Sequence, residues 1–242
     1  MNIISSAKRQ VILDTETTGM NQGAGAIFFG HRIIEIGCVE VINRKLTGRH
    51  YHEYINPMQL IDEEAITVHG ITNEFVADKP VFAQVAQSFI DFIDGAEIVA
   101  HNANFDVSFM DHEFSLLQPK GPKTTDICEV LDSLAVAKFL HPGQKNNLDA
   151  LCKRYGIDNS RRELHGALLD AEILADVYLI MTGGQTKFEL SNEKAGQEGG
   201  GIVRLDANRA NLKVIAASAD ELTMHSERLD LVEKSGQCIW RG

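Results

Sequence analysis

The sequence predicts an α/β domain, a mixed sheet flanked by helices, followed by a flexible tether and a small C-terminal segment. Three observations predict it. Strand-like runs open the chain, helical and strand-like periods then alternate, and a glycine-rich stretch near residue 190 interrupts the pattern. With 242 residues, 44% of them hydrophobic, the chain can bury one sizeable core and keep a small module besides.

Each element follows in order. "QVILDT", "RIIEIGCVEVI" and "HYHEYIN" read as three consecutive strands. The second alternates polar and apolar residues, as a partly exposed strand should. In "VFAQVAQSFIDFIDG", Val81, Val85, Phe89 and Phe92 or Ile93 fall on one helical face, and Gly95 marks the stop. "AEIVAHN" is a short apolar strand, "NFDVSFMDHEFSLL" a helix, and "TTDICEV" another strand. Helices are expected over roughly 130–140, 147–155 and 166–181. The last has Ala167, Ala171, Leu174, Ala175 and Tyr178 as its inner stripe.

Residues 183–201, "GGQTKFELSNEKAGQEGGG", hold six glycines in nineteen positions and almost nothing that could pack, which reads as a tether. The expected domains are therefore 1–182, the linker 183–201, and a segment 202–242. Within that segment "LKVIAAS" looks like a strand. "SADELTMHSERLDLVEKSG" is a helix with a capping box from Ser218 to Glu221 and Gly236 as its stop, and "QCIW" is a possible second strand. About forty residues without metal or disulfide are usually too few to hold a core. The segment is expected to dock on a partner protein, the alternative being that it folds back on its own domain.

Charge and cysteine usage exclude several function classes. Twenty-three basic against 34 acidic residues leave a net charge of −11, which argues against gripping long duplex nucleic acid by phosphate neutralisation. Of this, −10 belongs to residues 1–182 (15 basic, 25 acidic). Cys38, Cys128, Cys152 and Cys238 form no C-x-x-C pair, so neither a zinc knuckle nor a redox motif is suggested. "MNIISSAKRQ" has no apolar signal region, and nowhere do 18 uncharged apolar residues run together. A cytoplasmic, non-membrane protein is expected. "GAGAIF" has Phe28 where a dinucleotide loop needs its third glycine, and no G-x-x-x-x-G-K-[ST], H-E-x-x-H or G-x-S-x-G occurs.

Three stretches carry chemistry. In "LDTETTG", Asp14 and Glu16 stand two apart, so a strand aims both at one face. Their repulsion calls for a cation, and carboxylate oxygens suit Mg²⁺ or Mn²⁺. The plain alternative is a solvated strand end. In "IVAHNANFDVSFM", Asp106 opens a helix just after an apolar strand, where an acid also complements the helix dipole. In "LHGALLDAEILADVYL", His165 lies on the lead-in and Asp170 about one turn inside a long helix. The two can converge on one point, unless His165 merely caps or packs.

Together these stretches resemble the three motifs of the DEDDh 3′–5′ exonuclease superfamily. "DSLAVAKFL", "NNLDALCKRYGIDNS" and "MTGGQT" look closely like its proofreading members in bacterial replicative polymerases, over about residues 9–184 and again at "RLDLV" and "CIW". The resemblance implies a ribonuclease-H-like sheet. It also implies that Asp14, Glu16, Asp106 and Asp170 bind two divalent ions, Mg²⁺ or Mn²⁺, and that His165 is the general base. The substrate would be a DNA 3′ end, trimmed to nucleoside 5′-monophosphates. Glu64 and His69 match positions around the terminal sugar, and Thr15 and Asn102 sit where contacts to the terminal nucleotide are expected.

"QTKFEL" resembles a sliding-clamp-binding peptide, with Gln185 for a polar slot and Phe188 and Leu190 for an apolar one. The tail beyond residue 201 looks like the segment that attaches to the polymerase catalytic subunit, and a small accessory subunit is a further expected partner. Two readings compete. One is an RNA 3′ exonuclease of the same superfamily, against which the tether and tail speak. The other is a noncatalytic linker of polymerase and clamp, against which the complete set of four carboxylates and His165 speaks.

Overall fold

A computed structural model describes residues 9–160, 164–183, 217–235 and 240. They divide between two compact units, Met1–Phe188 and Glu189–Gly242. In the first, β1 (Arg9–Thr17), β2 (Ile33–Ile42), β3 (Lys45–Tyr54), β4 (Glu97–Ala100) and β5 (Glu129–Asp132) form one sheet in the order β3-β2-β1-β4-β5. The first three run antiparallel, and β4 and β5 join in parallel. The sheet is mixed, as the sequence predicts. The helices of this unit are α1 (Glu63–His69), α2 (Asn73–Val76), α3 (Phe82–Ile93), α4 (Ala103–Leu116), α5 (Thr124–Ile127), α6 (Ser133–Leu140), α7 (Leu148–Tyr155) and α8 (Ala167–Gly183). None of the helices among the described residues is long and apolar enough to cross a membrane.

Helices cover both faces of the sheet. On one face Val11 and Leu13 meet α3 and α4 through Phe89, Phe109 and Phe114. Each of these rings is fully buried, and removing one from water stabilises the fold by about 1.5–3 kcal/mol. On the other face Ile12, Val39 and Val41 meet α6, α7 and α8. The expected inner stripe of α8 is there: Ala167, Ala171, Leu174, Ala175 and Tyr178 are all buried. Alternation along β1 thus sends odd residues to the α3–α4 layer and even ones to the α8 layer. Carried to the polar end of the strand, the same alternation puts Asp14 and Glu16 on the α8 side.

Several elements differ from expectation for local reasons. "TTDICEV" is not a strand at its start: residues Thr124–Ile127 form the short α5, and the strand comes later, at Glu129–Asp132. Asp126 accepts from the Lys123 amide at 3.1 Å and Asp111 from the Thr124 amide at 2.7 Å, bonds that compete with a ladder and favour a turn. The helix expected from residue 130 begins at Ser133, because Asp132 caps it by accepting from the Leu134 amide. β2 is buried along nearly its whole length rather than partly exposed. Its acids have partners: Glu40 bonds Arg9 at 2.6 Å and Arg49 at 3.0 Å, and Glu35 is equally enclosed. α1 and α2 were not anticipated, although Gly70, left-handed at φ 74°, stops α1 as a C-terminal glycine does.

The described part of the second unit is α9 (Ala219–Ser235) with Trp240. Its capping box forms as expected: Glu221 accepts from the Ser218 amide at 2.8 Å, and Ser218 Oγ accepts from the Glu221 amide at 3.3 Å. Residues 212–216 of "LKVIAAS" and 237–239 of "QCIW", the stop at Gly236 and the peptide containing Gln185, Phe188 and Leu190 lie outside the described residues.

One glycine decides how closely α8 approaches the sheet. A Cβ on Gly37 of β2 would stand 2.1 Å from the Leu168 backbone nitrogen and 2.2 Å from the Ala167 carbonyl carbon. Backbone cannot yield as a side-chain tip can. In urea unfolding, Gly37→Ala is expected to lose about 3 kcal/mol, the upper end for overpacking; unchanged stability would mean that α8 is not seated there.

Candidate active site

Beyond Leu13, β1 carries Asp14, Thr15 and Glu16 before its last residue, Thr17. Across the ladder Asp14 pairs with Gly37 and Glu16 with Glu35. Because Gly37 admits the start of α8, Asp170, four residues into that helix region, comes down beside the strand end. It is 3% exposed. Asp106 arrives from the opposite layer, in the first turn of α4, and is also buried. A cleft of about 400 Å³ is lined by Asp14, Glu16, Asp106, His165 and Asp170 together. The five residues singled out from three remote stretches therefore share one cleft.

Burial shapes the electrostatics of the cleft. Burial pushes the Asp106 carboxyl up to about 7, against the Thr15 hydroxyl, which donates to its Oδ1 at 2.7 Å and lowers it. The buried Cys38 thiol is pushed well above its ordinary value by burial and then by Asp106 and Asp14, so acids from both layers act on one atom. Oxygen or nitrogen atoms of Glu16, His165 and Asp170 lie within 4.8 Å of one another. Two carboxylates and an imidazole at this spacing, with Asp14 and Asp106 lining the same cleft, suit a divalent cation. The residues present fit such a group.

His165 stands at the rim of this donor set. Its side chain is 46% exposed, and Nδ1 lies 3.2 Å from Asp170 Oδ2. Its backbone amide donates to the Val68 carbonyl at 3.1 Å, so the end of α1 holds the lead-in. An exposed imidazole against a buried carboxylate can take a proton from the cleft and pass it to solvent.

The expected substrate-contacting residues fall in two places. Thr15 and Asn102 line the same cleft. The Thr15 side chain is engaged by Asp106, however, and Asn102 enters α4 in the left-handed region at φ 73° with its amide bonded to Asp132. Glu64 and His69 line a second cavity of about 230 Å³ that shares Glu16 and Phe105 with the first. His69 is 6% exposed, and its Nδ1 accepts from the Ile71 amide at 3.0 Å. That bond makes Nε2 the N–H, which is buried beside the Thr17 backbone short of full hydrogen-bond geometry. Burial lowers the pKa of His69 and keeps the ring neutral, opposed by the Thr17 backbone.

Sequence reasoning missed the supports of the site. Glu35 looked like an exposed residue of β2, and Gly37 passed unremarked, although a lone glycine in a strand signals close approach of another backbone. Glu113, 1% exposed and bound through both oxygens by Arg32 at 2.7–2.8 Å, ties α4 to the start of β2. No local signal distinguishes it from a surface acid of the same helix.

Comparisons with known proteins point one way. Residues 11–178 match the family described as exonuclease, RNase_T. The DNA polymerase III subunit epsilon of Escherichia coli (strain K12) is 57% identical over 237 residues, covering 96% of this chain and 97% of that protein. A solved structure, exonuclease X in complex with 5′ overhanging duplex DNA, is 28% identical with a TM-score of 0.55, covering 73% of this chain and 92% of the other. The nuclease domain of 3′hExo, a DEDDh family member bound to rAMP, shares the fold at 19% identity and a TM-score of 0.58, over 74% of this chain and 94% of that one.

The raised Asp106 carboxyl has a measurable consequence in chelator-treated protein. Its folded value of about 7 exceeds the ordinary 3.8, so the folded state binds the proton more tightly and this contribution to stability falls as pH rises from about 4 to about 7. Added Mn²⁺ should therefore raise the melting temperature more at pH 7.5 than at pH 5. Equal shifts at both would mean that the ion does not meet Asp106. Thr15→Val, which removes the donor, should move the Asp106 titration seen by carbon-13 NMR to still higher pH.

Proposed function

This chain belongs to the exonuclease family, together with the DNA polymerase III epsilon subunits, and from that membership we propose how its acidic cleft works on DNA. The protein is a 3′–5′ exonuclease, the proofreading activity of the replicative polymerase. Members of the family depend on divalent metal. Asp14, Glu16, Asp106 and Asp170 hold two such ions, Mg²⁺ or Mn²⁺. When bound, the ions attract the phosphate and acidify the attacking water.

The remaining work belongs to side chains. His165 removes the proton of the attacking water, held in place by Asp170 at Nδ1 and by Val68 through its backbone. The neighbouring cavity takes the terminal nucleotide: Glu64 and the buried N–H of His69 face its sugar. Asn102, at the cleft's edge, contacts the same nucleotide, while Thr15 serves by holding Asp106. The product is a nucleoside 5′-monophosphate.

Residues 1–182 form the exonuclease domain, 183–201 a linker, and 202–242 the segment that attaches to the polymerase subunit. In the linker Gln185, Phe188 and Leu190 bind the sliding clamp, and a small accessory subunit covers part of the exonuclease domain. The protein works in the cytoplasm. Tethering of this sort raises the local concentration of nuclease at a primer end without a basic DNA-binding surface, which agrees with a net charge of −11.

The observation that carries this reading is the meeting of Asp14, Glu16, Asp106, Asp170 and His165 in one cleft. On single-stranded DNA labelled at its 3′ end, His165→Ala is expected to lower kcat by about 10²–10⁴-fold. Chelator should abolish cleavage by the wild type, and Mg²⁺ or Mn²⁺ should restore it. Chelator-insensitive cleavage, or full activity in the variant, would contradict the reading.

A further inference from the structure

Glu35 takes no part in the chemistry above, yet it is 2% exposed and three elements meet at its carboxylate. Its Oε2 accepts the backbone amide of Ala167, the first residue of α8, at 3.1 Å. On the other side Oε1 meets Nε2 of His52 on β3 at 2.7 Å. His52 in turn packs its ring on Tyr54, centroids 4.8 Å apart. A buried carboxylate needs such partners, because an uncompensated charge in the interior is strongly unfavourable.

The register explains why this acid stands here. Glu35 lies directly opposite Glu16 in the β1–β2 ladder, and Gly37 opposite Asp14. Residues paired across an antiparallel ladder project from the same face. The face that carries Asp14 and Glu16 on β1 therefore carries Gly37 and Glu35 on β2. Gly37 leaves room for the α8 backbone, and Glu35 bonds the first amide of that backbone. The start of a helix offers unpaired N–H groups and a positive dipole end, both satisfied by a carboxylate.

The stretch from His165 to Asp170 is held from outside at two backbone amides: that of His165 donates to the Val68 carbonyl and that of Ala167 to Glu35. The second bond ties the stretch to the strand pair that presents Asp14 and Glu16. We propose that Glu35, oriented by His52, is a positioning residue for the hydrolysis: by anchoring the first amide of α8 it sets His165 and Asp170 against the carboxylates of β1. The proposal rests on the assignment of His165 and Asp170 to the active site.

The test compares Glu35→Ala, Glu35→Gln and His52→Ala with wild type and Asp14→Ala, all as the full chain, on 3′-labelled single-stranded DNA with Mg²⁺. Folding is followed by circular dichroism and thermal unfolding. Glu35→Ala should lose about 10- to 100-fold in kcat, the usual effect of removing a support behind a ligand shell, with KM little changed. Glu35→Gln keeps an oxygen acceptor for the Ala167 amide and should retain most of the rate, and His52→Ala should fall between the two. A folded Glu35→Ala protein with wild-type kcat, a loss confined to KM, or a Glu35→Gln variant as impaired as Glu35→Ala overturns the proposal. Should Glu35→Ala not fold, His52→Ala decides: a reduced kcat supports the positioning role, and a wild-type kcat overturns it. Persistent cleavage by Asp14→Ala would instead overturn the underlying assignment of the site.

Discussion

Like charges held close together are the constraint on which this structure turns. Two carboxylates about 4 Å apart repel by about 4 kcal/mol in a surface-like dielectric, and here acids from β1, α4 and α8 line one cleft. A flexible scaffold would relax by letting them part. The sheet prevents this through rigid, separately anchored elements: a parallel and antiparallel ladder fixes β1 on both sides, the Arg32–Glu113 pair ties α4 to β2, and Gly37 with Glu35 seats α8. The strain remaining in the cleft is what a divalent cation relieves. Burial adds to it at Asp106, whose carboxyl is pushed up to about 7.

An acidic protein that acts on DNA is less paradoxical once the site is local. Net charge of −11 opposes long-range attraction to phosphate, but an exonuclease engages only the last nucleotides of a strand. The two adjoining cavities are small, about 400 and 230 Å³, and share Glu16 and Phe105. Under the proposed function, cations held at one and a buried N–H at the other would supply attraction where the reacting group lies, and the Phe105 ring shared between them suits stacking of a base. Recruitment by a polymerase then replaces the basic surface that a free-standing nuclease would need.

Much of this was legible in the sequence, and the reason is physical. β1, α3, α4 and α8 declare themselves by period and by apolar content; Asp14, Glu16, Asp106, His165 and Asp170 each admitted an ordinary reading as a strand end or helix cap, and the resemblance of their three stretches to the exonuclease motifs is what joined them. What stayed hidden depends on the third dimension. Glu35 and Glu40 fall on opposite faces of β2, and only the arrival of α8 and β3 at the first and of two arginines at the second turns both into interior. α5 replaced a strand because Asp111, thirteen residues away, bonds the Thr124 amide. The role of Thr15 as hydrogen-bond donor to Asp106 was equally hidden, since its side chain points to the opposite layer from its two neighbours.

Anomalous diffraction from crystals of the full chain soaked in Mn²⁺ tests the central claim most directly. Two peaks are expected in the cleft, within coordination distance of carboxylate oxygens of Asp14, Glu16, Asp106 and Asp170, with the His165 ring beside them. Peaks bound elsewhere on the protein, or a cleft that stays free of manganese at saturating concentration, would contradict it.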